Sequence, residues 1–441
     1  MVQMKENDLE KVTEGLRTSA GGYLVNKKHI IIRKPSESCV ADIQETGPGG
    51  LSPNGRNIVL YAMAAVENDE NDPAKQKLSP NATLINQGII EIYANDMVKA
   101  YRDKLKESND DTSRPYNFVR CIAMLAGKNS MIVNEGIIRI HVDQEDEEAP
   151  VYVLSLEGGE NSTAINNGTI ELTGKGTFST QARVMAFPFN DVNIINNGNI
   201  RVDVEKTSTV RVMATTGKRG SIANYGRIDV TSSGRIMTIA RLADTHIMNA
   251  GDVNINFRAR YVIQKVSFLY QSNPLACGIY EHCLPNNGPL PPIVNSGRIN
   301  VNLEGSEQST EYAVAFGIYS EIVGDEKRVH RFENTGEIHV TSSGPFAFTT
   351  AELGCNVQSA KNFPYDIKIG EWNTSFRDFA NTKDVILCKS GRVDLSEAVF
   401  GIKGGSGEVK AEELVTQTNE GKEALDTFVI SGTDTMRVEN I

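Results

Sequence analysis

An Asn-x-Gly phrase followed by alternating apolar residues recurs along this chain, and it constrains the fold more than any bulk property does. It reads LINQGIIEI (84–92), IVNEGIIRIHV (132–142), AINNGTIEL (164–172), IINNGNIRVDV (194–204), IANYGRIDV (222–230), IMNAGDVNI (247–255), IVNSGRINV (293–301) and FENTGEIHV (332–340). A worn copy, LCKSGRVDL, stands at 387–395, and LVNKKHIII at 24–32 has Lys28 in the glycine position. Apolar residues at every second place after the glycine, such as Ile170 and Leu172, have the period of a half-buried strand. The Asn-x-Gly ahead of them is turn chemistry, with glycine free to take positive φ and asparagine able to bond neighbouring backbone.

The glycines Gly88, Gly136, Gly168, Gly198, Gly226, Gly251, Gly297, Gly336 and Gly391 are 48, 32, 30, 28, 25, 46, 39 and 55 residues apart. A hairpin would need a short, constant spacing. The shortest interval here instead holds one circuit of two or three short strands, and the excess elsewhere is insertion. A second strand motif falls between the copies, among them VLYAMAAVEN (59–68), VRCIAMLAGKN (119–129), VRVMATTGK (210–218), GRIMTIARLAD (234–244) and YAVAFGIYSE (312–321). Units of this kind cannot bury their apolar faces alone and must stack. The fold class expected is all-β, a right-handed parallel β-helix over 23–404 with loop and short-helix insertions and capped ends. Within it Asn86, Asn134, Asn166, Asn196, Asn224, Asn249, Asn295 and Asn334 form an internal ladder and are scaffold. Met213, Met237 and Ile239 on the companion strands are core.

Both ends need closing, because bare strand edges pair with other chains. Residues 1–22 are expected to cap as a helix, with Asn7 or Asp8 at its N-cap and Leu9, Val12 and Leu16 on one face. Residues 405–441 lose the phrase and are expected to form a C-terminal cap or terminal coil. The closing TMRVENI lacks an obvious cap, which favours either homo-oligomer contact through that edge or a truncated parent. Four insertions interrupt the coils, at 95–114, 143–149, 267–292 and 353–385. The first predicts a helix with Met97, Tyr101 and Leu105 on one stripe; the second is the acidic DQEDEEA. Loops carry function on rigid scaffolds, and aromatic anchors carry much of the binding energy. Trp372, Tyr365, Phe363, Tyr270 and Tyr280 are therefore the candidate contact residues; covering the core is their alternative role.

Composition excludes several functions. Asp and Glu number 56 against 45 Lys and Arg, a net charge of −11 that argues against a phosphate-backbone binder. No run approaches the roughly 18 to 20 apolar residues of a membrane helix. No Walker phrase or GxSxG elbow occurs, and GGSG at 404–407 reads as a turn. Asp110, Asp111 and the 143–149 loop are the only carboxylate clusters suggestive of polysaccharide cleavage, and a solvated charge run is their simpler reading. Cys277, His282 and Cys283 fit no zinc-knuckle spacing and fall in the companion-strand motif LACGIYEHC (275–283). No metal, cofactor or nucleic-acid partner is expected.

With the unit laid out in this way, the chain resembles the passenger domains of bacterial autotransporter adhesins. AVAFGIYSE (313–321) with ENTGEIHV (333–340), and YVLSLEGGENSTAINNGTIEL (152–172), match their grammar best, and the likeness covers roughly residues 59 to 410. The resemblance implies a non-enzymatic, extended binding surface on a virulence-associated surface protein, recognising a protein or glycan ligand on a cell surface. Three departures stand: no signal peptide, no membrane barrel after the repeats, and six cysteines where such passengers carry few or none. An excised passenger would be extracellular or at the cell surface; a chain complete as written would be cytoplasmic. The competing functions are a carbohydrate-active β-helix enzyme and an intracellular interaction scaffold.

Overall fold

The computed structural model describes residues 9–36, 38–43, 57–68, 76–107, 119–143, 151–176, 180–207, 209–258, 275–283, 291–305, 313–323, 332–343 and 347–357. Beyond these it describes only short strands at 379–381, 385–388, 399–403, 406–410, 427–430 and 436–438. The chain is a right-handed parallel β-helix whose coils each carry three strands, one in each of three sheets. Sheet 1 holds the strands that end in the ladder asparagine. Sheet 2 holds those that follow the glycine, and sheet 3 the companion strands. The Asn-x-Gly phrase is thus the corner between two sheets, not the start of a single strand.

The coils divide into two compact units, residues 1–207 with 211–220 and residues 208–210 with 221–441. In the first unit, sheet 1 stacks Tyr23–Asn26, Thr83–Asn86, Met131–Asn134, Thr163–Asn166 and Asn193–Asn196. Strict parallel register follows from the repeat, so chemically equal residues lie over one another. In sheet 2, Ile30, Ile90, Ile138, Ile170 and Ile200 are mutual partners, and none is more than 1% exposed. Each such side chain contributes about 1.5–3 kcal/mol of burial. Alternate residues of the same strands face outward, which is why period-2 patterning was readable there. Sheet 3 differs: all seven residues of Val151–Glu157 are buried. On the strands of this sheet an apolar cluster gathers Ala41, Val59, Tyr61, Ile122, Tyr152 and Leu154.

In the second unit, sheet 2 stacks Arg227–Ser232, Asp252–Arg258, Arg298–Glu304 and Glu337–Ser343. Its inward columns are Ile228, Val253, Ile299 and Ile338, then Val230, Ile255, Val301 and Val340.

The glycines of the phrase do not take positive φ: among the described residues only Gly21 and Gly174 do so among glycines. They are needed for close approach. A Cβ on Gly136, Gly168, Gly198, Gly251 or Gly336 would lie 2.0 Å from the carbonyl oxygen of the glycine one coil below. The same argument explains Lys28. It occupies the first copy, its carbonyl lies under Gly88, and no earlier Asn-x-Gly corner lies beneath it. LVNKKHIII is a full rung, with Asn26 in register with Asn86.

Positive φ is instead used two residues before each sheet 1 strand of the first unit, and again at Arg219, two residues before Ser221–Asn224. Gly21 (67°), Asn81 (58°), Asn129 (56°), Asn161 (55°), Asp191 (57°) and Arg219 (60°) share that conformation. Asparagine and aspartate tolerate it because their short side chains bond locally. Asn161 donates to Asn129 Oδ1 at 3.0 Å, and Arg219 is braced by two bonds to Asp191, at 3.0 and 2.7 Å.

Several expectations are corrected. The described part of 1–22 is not a helix. Lys11–Val12 pairs with His29 and Ile30, and Leu16–Thr18 with Met63–Ala65. Satisfying the open strand edges of two sheets outweighs an isolated turn or two of helix. The copy at 387–395 is out of register: Val385–Cys388 belongs to sheet 2, pairing with Ile338–Val340, and Asn381 is the residue opposite Asn334. Gly391 lies outside the described residues. The 353–385 insertion is narrower than expected, because Ala347–Val357, Phe379–Asn381 and Val385 are strand. The helix of the first insertion spans Ala94–Glu107 and buries Met97, Val98 and Tyr101; it packs against Ile137–Asp143.

Candidate functional site: a polar trough on sheet 2

The asparagines are withdrawn from solvent. In the first unit Asn26, Asn86, Asn134 and Asn166 each donate Nδ2–H to the Oδ1 of the next, ending at Asn196, at 2.8 Å throughout. In the second unit the run is Asn224 to Asn249 (2.8 Å), Asn249 to Asn295 (2.7 Å) and Asn295 to Asn334 (2.8 Å). Their backbone carbonyls accept the two N–H groups of the next corner, as Asn86 does from Glu135 and Gly136 at 2.8 Å each. These groups satisfy one another inside the core and present nothing to a ligand.

The aromatic contact residues fare differently. Trp372, Tyr365, Phe363 and Tyr270 lie outside the described residues, as do Asp110, Asp111 and residues 144–149 of the acidic loop. Tyr280 is a core residue, not a loop contact. It is 4% exposed on the strand Leu275–Cys283, with its ring stacked at 5.7 Å on Tyr319. Cys277, on the same strand, is buried and not in a disulfide. No group of three His, Cys, Asp or Glu among the described residues is placed to hold a metal ion, and no described helix is long and apolar enough to cross a membrane.

The outward columns of sheet 2 are where accessible chemistry gathers. In the first unit they are charged and self-paired. Glu91, Arg139, Glu171 and Arg201 share one column, and Arg139 donates to Glu171 at 3.1 Å. Glu91 is also a hub: it accepts bonds from Tyr93 at 2.5 Å and His29 at 3.0 Å, and His141 stands 3.6 Å away. Burial pushes the Glu91 carboxyl up, but those hydrogen bonds and the two imidazoles hold it below its ordinary range. Arg33 lies 3.4 Å over the Tyr93 ring and 3.8 Å from Asp96 in the first helical turn. The cluster ties the inserted helix to the sheet.

In the second unit the corresponding columns are mostly uncharged. Asp229, Asn254, Asn300 and His339 lie in one register, and Thr231, Asn256, Asn302 and Thr341 in the next. Together with Val230, Ile255 and Val301 they line an open trough of about 430 Å³, within the range of small-ligand sites. The side chains are held by bonds running along the stack. Asn254 donates to Asp229 and Asn300 to Asn254, both at 2.8 Å. Asn302 donates to Asn256 at 3.2 Å and Thr341 to Asn302 at 3.0 Å. An outer column of Arg227, Asp252, Arg298 and Glu337 flanks them with alternating charge. Arg227 donates to Asp229 at 2.7 Å, which raises the arginine's pKa, and Arg298 donates to Glu337 at 3.1 Å.

Sequence reasoning passed over this site because it judged the strands by their apolar positions. The signal lay in the positions between: DVT, NIN, NVN and HVT after successive glycines of the second unit, against EIY, RIH, ELT and RVD in the first.

A buried knot nearby is structural. Arg241, 1% exposed, donates to Glu281 at 3.0 and 2.6 Å, to the Pro291 carbonyl at 2.7 Å and to the carbonyl of Thr245. Ser320 donates to the other Glu281 oxygen at 2.6 Å.

No protein-family model, curated protein or solved structure matches the chain.

Proposed function

We propose that this protein is a non-enzymatic binding protein of the autotransporter-passenger type, an adhesin-like surface protein whose β-helix presents laddered side chains to a cell-surface ligand. The observation that carries this reading is the trough of the second unit, where amide and hydroxyl groups are held in a fixed array on a rigid sheet. Preorganised groups lose little freedom on binding, which favours recognition. A polysaccharide hydrolase needs two carboxylates facing across the scissile bond. The trough is lined by one, Asp229, which is already paired with Arg227. On this reading the partner is a protein or glycan, and the site of action is extracellular or at the cell surface.

The test is a panel of immobilised glycans and host-surface proteins, screened in parallel for retention of this protein and for release of reducing sugar. Retention without cleavage supports the proposal. Cleavage of any panel member overturns it.

A further inference from the structure

We infer that the trough takes an uncharged polysaccharide lying along the coil stack, with one sugar ring to each coil. This rests on the binding-surface reading above and names the ligand class of its site.

Charge comes first. The flanking cations Arg227 and Arg298 are each bonded to a carboxylate. A polyanion would therefore meet Asp229 and Glu337 with no surplus positive charge to offset them, and a polycation would have to compete with the arginines already seated. The remaining lining groups are amides, hydroxyls and an imidazole. Each amide has a second N–H and a second lone pair beyond its ladder bond, so Asn254, Asn256, Asn300 and Asn302 offer donor and acceptor together, as a sugar hydroxyl requires.

Spacing comes second. Equivalent side chains on neighbouring coils repeat at about 4.8 Å, the strand separation of a sheet. An extended peptide laid along the stack presents same-face groups only every ~6.6 Å, twice the strand rise, and loses register by the second coil. An extended pyranose chain advances by nearly the coil repeat per ring, so successive rings stay over successive strands even though they turn alternate edges to the sheet, and the two central rings lie over the amides of Asn254, Asn256, Asn300 and Asn302. The trough is open at the surface, with Asn302 and Thr341 exposed, so a chain can enter sideways.

The experiment is calorimetric titration of the whole protein with neutral β-1,4-linked pyranose oligomers from monosaccharide to hexasaccharide. Polygalacturonate oligomers and an extended neutral peptide are run beside them. Affinity is expected to rise with each ring up to the tetrasaccharide and then level off. Asn300→Leu, and the near-isosteric Asn300→Asp as a control for folding, should each lower tetrasaccharide affinity at least tenfold; Thr173→Ala on the first unit should leave it unchanged. Failure to bind any neutral oligomer, or binding indifferent to length and to both Asn300 substitutions, overturns the inference. If the anionic oligomer or the peptide binds instead and is lost with Asn300→Leu, the ligand class is wrong while the binding-surface reading stands. Cleavage of the oligomers sinks both.

Discussion

Replacing Gly168 by alanine separates two explanations of the repeated glycine. If glycine served only to relax the backbone, alanine at an ordinary φ would restrict the unfolded chain and stabilise the fold by about 0.4–1 kcal/mol. The structure gives the opposite sign. A Cβ at Gly168 would lie 2.0 Å from the Gly136 carbonyl oxygen, whereas ordinary contact begins at 3.4 Å. The corner must therefore lift by about 1.4 Å against a coil spacing of about 4.8 Å. Three bonds hold it down: Asn167 N–H and Gly168 N–H to the Asn134 carbonyl at 2.7 and 3.0 Å, and Thr169 N–H to the Gly136 carbonyl at 2.9 Å. At about 1 kcal/mol net each, their loss costs roughly 3 kcal/mol, a large share of the stability of an ordinary domain. Urea unfolding followed by far-ultraviolet circular dichroism measures this as a lower midpoint at unchanged slope. Lys28→Gly, at the same position of the first coil, should cost only about 1 kcal/mol, because it relieves no clash, adds backbone freedom and removes a single exposed ion pair, Lys28 with Glu10 at 2.9 Å. A Gly168→Ala protein as stable as the parent, or more so, would refute the close-approach argument.

Other consequences are open to measurement. Asn161→Ala keeps the β-carbon of a residue held at φ 55° but removes the amide that bonds to Asn129 and should cost about 1 kcal/mol; Asn161→Gly should cost less, and the reverse order would remove the case for a left-handed corner. Arg241→Ala leaves Glu281 buried without its main partner and should lower stability by roughly 3–5 kcal/mol. The double variant Arg241→Met with Glu281→Leu should recover much of that loss, and a double variant no better than the single one would show that the pair has some other role. The Glu91 carboxyl is held below its ordinary value of 4.5, so its anion stabilises the fold above that pH and the contribution fades as pH falls through the lowered folded value. The stability gap between parent and Glu91→Gln should therefore narrow on acidification from about pH 7 to pH 3; a gap that widened would mean the carboxyl is not stabilised as an anion.

The sequence was legible wherever a local period met a long-range repeat. Eight copies of the phrase mark eight of the coils, their inward apolar columns and the asparagines of the ladder, because stacking equal units forces equal residues into register. It misled where one residue type serves two purposes. The glycines looked like positive-φ residues, but a steric limit imposed by the next coil explains them, and that limit exists only once coils are stacked. The left-handed corners went unseen because Gly21, Asn81, Asp191 and Arg219 share no single residue type. LCKSGRVDL looked like a rung by its letters, yet pairing puts Asn381 opposite Asn334, since register depends on partners and not on resemblance.

For the candidate site the division is sharper. The sequence by itself determined a stack of coils and a core of Ile, Val and Leu, because burial and period are properties of each unit read in isolation. Only the tertiary structure decided which outward residues meet. Asp229, Asn254, Asn300 and His339 are separated by 25, 46 and 39 residues along the chain, the first a bare circuit and the other two lengthened by insertions. Parallel pairing cancels those lengths and brings the four side chains into one column, so the trough is a product of register and not of any contiguous stretch of chain.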